Sequence, residues 1–209
     1  MAERPSPPIS TRKEPKQARA EQLLRSVLEA AVQVLEREGA ARFTTARVAE
    51  RAGVSVGSLY QYFPNKAAIL FRLQADEWRD SARMLEGILS QPGPPLSRLR
   101  QLVHGFIASE CAEARVRQAL ADAAPLYRDA PEAKEARQEA DRLFDDFILE
   151  LLPDLDEPEQ DLASDLIAST LTSVGKSFSG KPRGKEEIER YANGMADMLC
   201  GYVERLNRG

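Results

Sequence analysis

Histidine is almost missing from this chain, with His104 the single example among 209 residues. That argues against most hydrolases built on an imidazole base and against metal sites built on imidazole clusters. Cysteine is equally scarce. Cys111 and Cys200 lie far apart, without a Cys-x-x-Cys pair or a cysteine/histidine cluster. A zinc site or a disulfide framework is therefore not expected. No apolar run approaches the ~18–20 residues needed to cross a bilayer. The opening residues, Met1-Ala2-Glu3-Arg4-Pro5, lack the apolar segment of a secretory signal. No set of nucleophile, base and acid stands out either. A soluble cytoplasmic protein with no enzymatic activity, no cofactor, no metal and no membrane contact is expected.

What is present describes a folded chain. Hydrophobic residues make up 43% and charged residues 30%, which excludes wholesale disorder. The length suits one or two domains. The net charge of -4 is unevenly spread. Residues 1–66 hold 11 Lys+Arg and 7 Asp+Glu, a balance of +4. Residues 67–209 hold 18 and 26, a balance of -8. A basic front on an acidic body suggests that one end meets a polyanion.

Helical periodicity runs through most of the chain. Residues 1–16 are rich in proline and charge and are expected to form a disordered arm. From Gln17, Leu23, Leu24, Val27, Leu28, Ala31, Val34 and Leu35 recur at helical spacing, with Gly39 as the stop. A short second helix starts at Thr44-Thr45, either of which can cap it, and ends near Gly53. A third starts at Ser55 and ends before Pro64, and a fourth starts with Asn65 as its cap. After the break at Gln91–Pro95 come helices over Leu96–Glu113 and Glu132–Leu152, and two last ones near 159–174 and 185–206. Gly175–Gly184 reads as a flexible loop. No alternating β-branched runs appear. The expected fold is all-α: a helix-turn-helix domain over 17–66, then a larger bundle over 67–209.

The second and third helices meet at a tight glycine turn, the pattern of a helix-turn-helix whose second helix enters the major groove. Val48, Ala49, Ala52, Val54, Leu59 and Phe63 supply a buried face. The opposite face offers Ser55, Val56, Gly57, Ser58, Tyr60, Gln61 and Tyr62, nearly without charge. Short side chains permit close approach, and hydroxyls can bond phosphates or base edges. Gly57 weakens a helix, so it needs a reason such as that approach. Thr45, Arg47 and Lys66 are phosphate candidates at the helix starts. Arg12, Lys13, Lys16 and Arg19 are further candidates for an arm on the DNA. The alternative for each is an ordinary surface or core residue. So little basic charge requires two heads on one site, hence a dimer.

The run Val48-Ala49-Glu50-Arg51-Ala52-Gly53-Val54-Ser55-Val56-Gly57-Ser58-Leu59-Tyr60-Gln61-Tyr62-Phe63-Pro64-Asn65-Lys66 resembles the tetracycline-repressor-like (TetR/AcrR) family of bacterial regulators. By motif the resemblance covers residues 19–72, and beyond them only length and helical layout. It implies a homodimeric repressor whose first three helices bind double-stranded operator DNA. It also implies a C-terminal bundle that binds a small-molecule effector and then lets the operator go.

Within 67–209 the effector is unknown. His104, Phe106, Cys111, Tyr127, Phe144, Phe147 and Phe178 are the candidates to line its site, with ordinary core packing as the alternative. Asp141, Asp145, Asp146 and Glu150 either select a cationic effector or form the wet face of their helix. For the dimer, helix 159–174 carries Leu162, Leu166, Ile167 and Leu171 on one side. Its other side holds small residues, Ala163, Ser164, Ala168, Ser169, Thr172 and Gly175, that admit a second helix. The band from Ile188 to Leu206 completes a four-helix interface. The competing readings are an activator of the same family, a helical small-molecule carrier, and a protein-interaction module without DNA affinity.

Overall fold

In a computed structural model, the structure describes residues 18–208, except the side chains of 18–20 and 134–141. The expected arm over 1–16, with Arg12, Lys13 and Lys16, and the side chains of Arg19 and Asp141 lie outside the described residues. Among the described residues eight α-helices follow one another: α1 (Ala18–Arg42), α2 (Thr45–Ala52), α3 (Val56–Tyr60), α4 (Lys66–Leu89), α5 (Pro95–Ala123), α6 (Pro131–Leu151), α7 (Glu157–Ser179) and α8 (Lys185–Leu206). A 3-10 turn, Ala124–Leu126, leads from α5 towards α6. Among the described residues there is no strand, as the sequence indicated.

Local chemistry sets the boundaries at the front of the chain. α1 is broken at Gly39, whose φ of 72° only glycine adopts readily. Of the two threonines, Thr44 is the cap of α2: its side chain accepts from the Arg47 N–H at 3.3 Å. Gly53 closes α2 in the left-handed conformation at φ 67°. Ser55 caps α3 by accepting from the Ser58 N–H at 3.0 Å. Asn65 Oδ1 accepts from the Ala68 N–H at 2.9 Å and so opens α4.

Two compact units emerge. Of the described residues, one holds 18–79 and 115–137, the other 80–114 and 138–208. The expected boundary at 66/67 is thus displaced. The first half of α4 brings Ala67, Ala68, Ile69, Leu70 and Leu73 into the same core as Val27, Leu35, Val48, Leu59 and Phe63. Leu120, Ala123 and Tyr127 join that core from much further along the chain. The second unit is built around Leu99, Val103, Ile107, Phe147, Ile148, Leu152, Ile167 and Leu199.

Two helices are longer than expected. α5 continues from Glu113 to Ala123, because the intervening residues are good helix formers with no breaker before Pro125. α7 continues to Ser179, through part of the expected loop. The reason is packing. Gly175 is buried, and a Cβ there would lie 2.9 Å from Phe106 Cε1. Its glycine serves a close helix contact, and only Gly180–Gly184 remains between α7 and α8.

The two expected sides of α7 are divided differently: Ile167 and Leu171 are buried together with Ala163 and Gly175, while Ser169 and Thr172 stay exposed. Ala163, Ile167, Leu171, Gly175 and Phe178 share the buried side, so the small residues at 163 and 175 point inward. Leu162 (58% exposed) and Leu166 are outside. α8 likewise spends its apolar band at home: Ala192, Met195, Leu199 and Val203 are buried in the second unit. Its outer side shows Gly194, Met198 and Gly201, with Met198 53% exposed.

Candidate nucleic-acid interface

The first unit presents the outer face of α3. Leu59 is fully buried and anchors the helix, while Ser55, Val56, Gly57, Tyr60 and Gln61 are exposed. Ser58 is half-buried, and its hydroxyl bonds that of Ser55 at 2.8 Å. The Tyr60 ring is fixed across the turn: its hydroxyl and that of Thr45 hydrogen-bond at 3.2 Å. This bond ties the start of α2 to the end of α3 and places two hydroxyls side by side at the surface. Lys66 stands exposed at the first position of α4.

Gly57 has a helical backbone, so no positive φ requires it. A Cβ at this position would meet only Ser55 Oγ, at 3.8 Å, which is ordinary contact. The fold itself therefore has no use for this glycine. A helix interior glycine costs roughly 0.5–1 kcal/mol against alanine. An exposed helix face that forgoes its side chain is suited to close approach by another surface.

Two expected residues stand differently. Tyr62 is only 8% exposed and belongs to the core with Phe63, so it is not on the outward face. The chain turns after Tyr60, and helical spacing no longer governs where Tyr62 points. Arg47 is engaged within the unit: its Nη1 meets Glu38 Oε2 at 2.5 Å and donates to the Arg42 carbonyl at 2.8 Å. It braces the turn that follows Gly39. A phosphate would have to compete for that guanidinium.

The candidates for an effector site do not all converge. Tyr127 lies in the first unit, where its hydroxyl donates to Leu120 O at 3.0 Å and to Gln74 Oε1 at 3.2 Å. The others belong to the second unit, where Phe106, Cys111, Phe144, Phe147 and Phe178 are part of its core cluster and His104 faces a separate groove. Phe106 packs on Gly175. Phe178 stacks on Tyr191 with ring centroids 3.7 Å apart and carries the Arg183 guanidinium above it at 4.5 Å. His104 lines an open groove of about 690 Å³ with Leu96, Arg100, Gln101, Asn193, Cys200 and Glu204. Phe144 is half-buried, and Phe147 is buried beside a smaller crevice. Burial pushes the Cys111 and Cys200 thiols up from their ordinary range, which disfavours the reactive thiolate. No metal-binding group of His, Cys, Asp and Glu occurs among the described residues. None of the described helices is long and apolar enough to cross a membrane.

Sequence reading missed Arg98. It is a buried cation in the second unit, and its place on the apolar side of α5, one turn before Leu102, was the available signal.

Among the described residues, an all-helical fold with a capped helix-turn-helix and an exposed, uncharged second helix is the arrangement that DNA-binding regulators use. The family profile described as "Bacterial regulatory proteins, tetR family" matches residues 27–73. That described as "Tetracyclin repressor-like, C-terminal domain" matches 94–206, more than half of the chain. The chain belongs to the TetR family of transcriptional regulators, which are not enzymes. Among curated relatives, the nucleoid occlusion factor SlmA of Vibrio campbellii is 39% identical over 85 residues, covering 39% of this chain and 42% of that protein. The match thus spans about two fifths of the length of that relative. Among solved structures, FadR, the fatty acid degradation regulator of Bacillus halodurans, is similar with a TM-score of 0.68 at 21% identity, over 90% of this chain and 97% of that one. FadR of Bacillus subtilis, solved in complex with stearoyl-CoA, gives 0.68 at 19% identity over 85% and 97%. At such identities these neighbours show a shared fold.

Proposed function

We propose that this regulator is a homodimeric repressor that reads an inverted-repeat operator and leaves it when a small molecule binds the second unit. The observation that carries the DNA reading is the outer face of α3, where Val56, Gly57, Tyr60 and Gln61 are exposed and Gly57 has no internal purpose. Gly57 admits the groove edge, Val56 packs on a thymine methyl, and Gln61 and the serine hydroxyls bond base edges or phosphates. Thr45, Tyr60 and Lys66 fix the register on the backbone. Tyr62 and Arg47 take part only through whatever reach their core and ion-pair positions leave them.

One such head carries too little positive charge for tight binding alone. Two heads about 34–36 Å apart, one turn of DNA, would share one operator. The outward Leu162 and Leu166 of α7 and Met198 of α8, with the open glycines Gly194 and Gly201, support pairing through these two helices. A small molecule that prefers a different separation of the heads would release the operator by population shift.

The test is selection of random duplex DNA by the purified protein, followed by affinity against salt. Enrichment of one inverted repeat with a steep negative salt slope is expected. A folded preparation, stripped of ligand by refolding, that enriches nothing would overturn the reading.

A further inference from the structure

Glu77 of α4 and Arg117 of α5 form an ion pair inside the first unit. Arg117 Nη2 stands 3.0 Å from Glu77 Oε1, and each side chain is only 16% exposed. Asp80 and Arg83, one turn further along α4, are 63% and 70% exposed and make an ordinary solvated pair, which is worth little. A pair withdrawn from water is different, because removing one charge leaves the other uncompensated.

The Glu77–Arg117 pair is also part of a larger set of bonds. Glu77 Oε2 accepts from Gln74 Nε2 at 2.8 Å, so both carboxylate oxygens are engaged. Gln74 Oε1 faces the Tyr127 hydroxyl at 3.2 Å, and that hydroxyl lies 3.0 Å from Leu120 O. A continuous polar chain thus runs from Arg117 of α5 through Glu77 and Gln74 of α4 to Tyr127, and returns to α5 at Leu120. Both helices continue into the second unit, α4 after residue 79 and α5 from residue 114 backwards, so Glu77 and Arg117 stand within three residues of that edge. On the inner side, Ala67, Ala68, Ile69 and Leu70 of α4 share a core with Val48 of α2 and Leu59 of α3. α3 is only five residues long, and that core gives it its direction.

We infer that Glu77 and Arg117 are positioning residues for operator reading: their pair locks α4 to the C-terminal part of α5 and thereby fixes the direction in which α3 is presented. Neither needs to touch DNA. One head on a half-site uses only its own face. Two heads on one repeat must be held at a fixed separation, so a looser lock costs the second contact and spares the first. This inference rests on the two-head reading above.

The test places Glu77→Gln and Arg117→Gln in the full chain, each shown to be folded by its thermal melt. Affinity is measured for the full selected repeat and for one half-site. Each variant should lose at least about tenfold on the full repeat and change by less than about twofold on the half-site. The two substitutions alter the net charge in opposite senses. A long-range electrostatic effect would therefore move them apart, whereas loss of the lock moves them together. The double variant should lose no more than the worse single one, as residues acting as one unit do. Either single variant suffices if the other does not fold. Unchanged full-repeat affinity overturns the inference even where the melting temperature falls, since that is the result of a purely structural pair. Equal losses on the two duplexes overturn it as well, as do losses that add in the double variant. In each of these cases a preference of the unaltered protein for the full repeat leaves the two-head reading standing. If the unaltered protein shows no such preference, the two-head reading fails and the inference falls with it.

Discussion

Gly57 in the reading head and Gly175 in the bundle are both helical glycines, yet their surroundings are opposite. At Gly175 the chain itself demands the small residue, since a Cβ would press on Phe106 at 2.9 Å. At Gly57 nothing in the chain demands it. At Gly175 the bundle spends a small residue on its own core, whereas at Gly57 the head leaves one facing outward. A glycine unexplained from inside is a better pointer to a partner than a glycine as such, because only the former costs stability without internal return.

The comparison can be broken by filling each position. Gly57→Glu should lower operator affinity at least about a hundredfold, because bulk and negative charge would stand where the groove edge approaches. Its melting temperature should hold or rise slightly, since glutamate is the better helix former. Fluorescence anisotropy beside a thermal melt reads both. Preserved DNA affinity would show that α3 does not approach the groove.

Gly194→Glu probes the outward side of α8, where a Cβ meets nothing within the protomer. If two copies pair there, sedimentation should show a dimer weakened by at least about tenfold, because a charge would be buried unpaired in the interface. A dimer as tight as before would place the interface elsewhere. Gly175→Val acts instead on the fold. Overpacking against Phe106 should cost about 1–3 kcal/mol, seen as a fall of about 2–4 °C in melting temperature per kcal/mol.

Tyr127→Phe should have the smallest effect. It removes the hydroxyl bonded to Leu120 O and Gln74 Oε1 and should cost about 1 kcal/mol. Because Tyr127 sits in the core of the first unit, a change in stability is expected in its thermal melt. A variant with unchanged stability and altered ligand affinity would return this residue to the effector site.

The head was legible because its signals are local. Thr44, Ser55 and Asn65 cap the helices that follow them, and Gly39 and Gly53 terminate those before them. Such features depend on residues three or four apart. Tyr62 escaped because the helix ends before it, so spacing along α3 no longer fixed its direction. In the bundle, periodicity found the helices but not which stripe each one buries. α7 has two candidate sides, and only its packing against other helices, such as Phe106 and Ile107 against Gly175, decides which one faces inward. Tyr127 was misplaced for the same reason, since its partners Gln74 and Leu120 lie on α4 and α5. Arg98 gives only a weak signal in the sequence, because an arginine on a helix ordinarily faces water and its burial depends on partners distant in the chain.

The central claim is that two copies present two α3 faces to one operator. The most direct measurement compares affinity for a duplex carrying the full selected repeat with affinity for a duplex carrying one half-site. The account predicts two chains on the full repeat, bound at least about a hundredfold tighter than the half-site, with a steeper dependence on salt. Equal affinity for the two duplexes, with one chain on each, would contradict it.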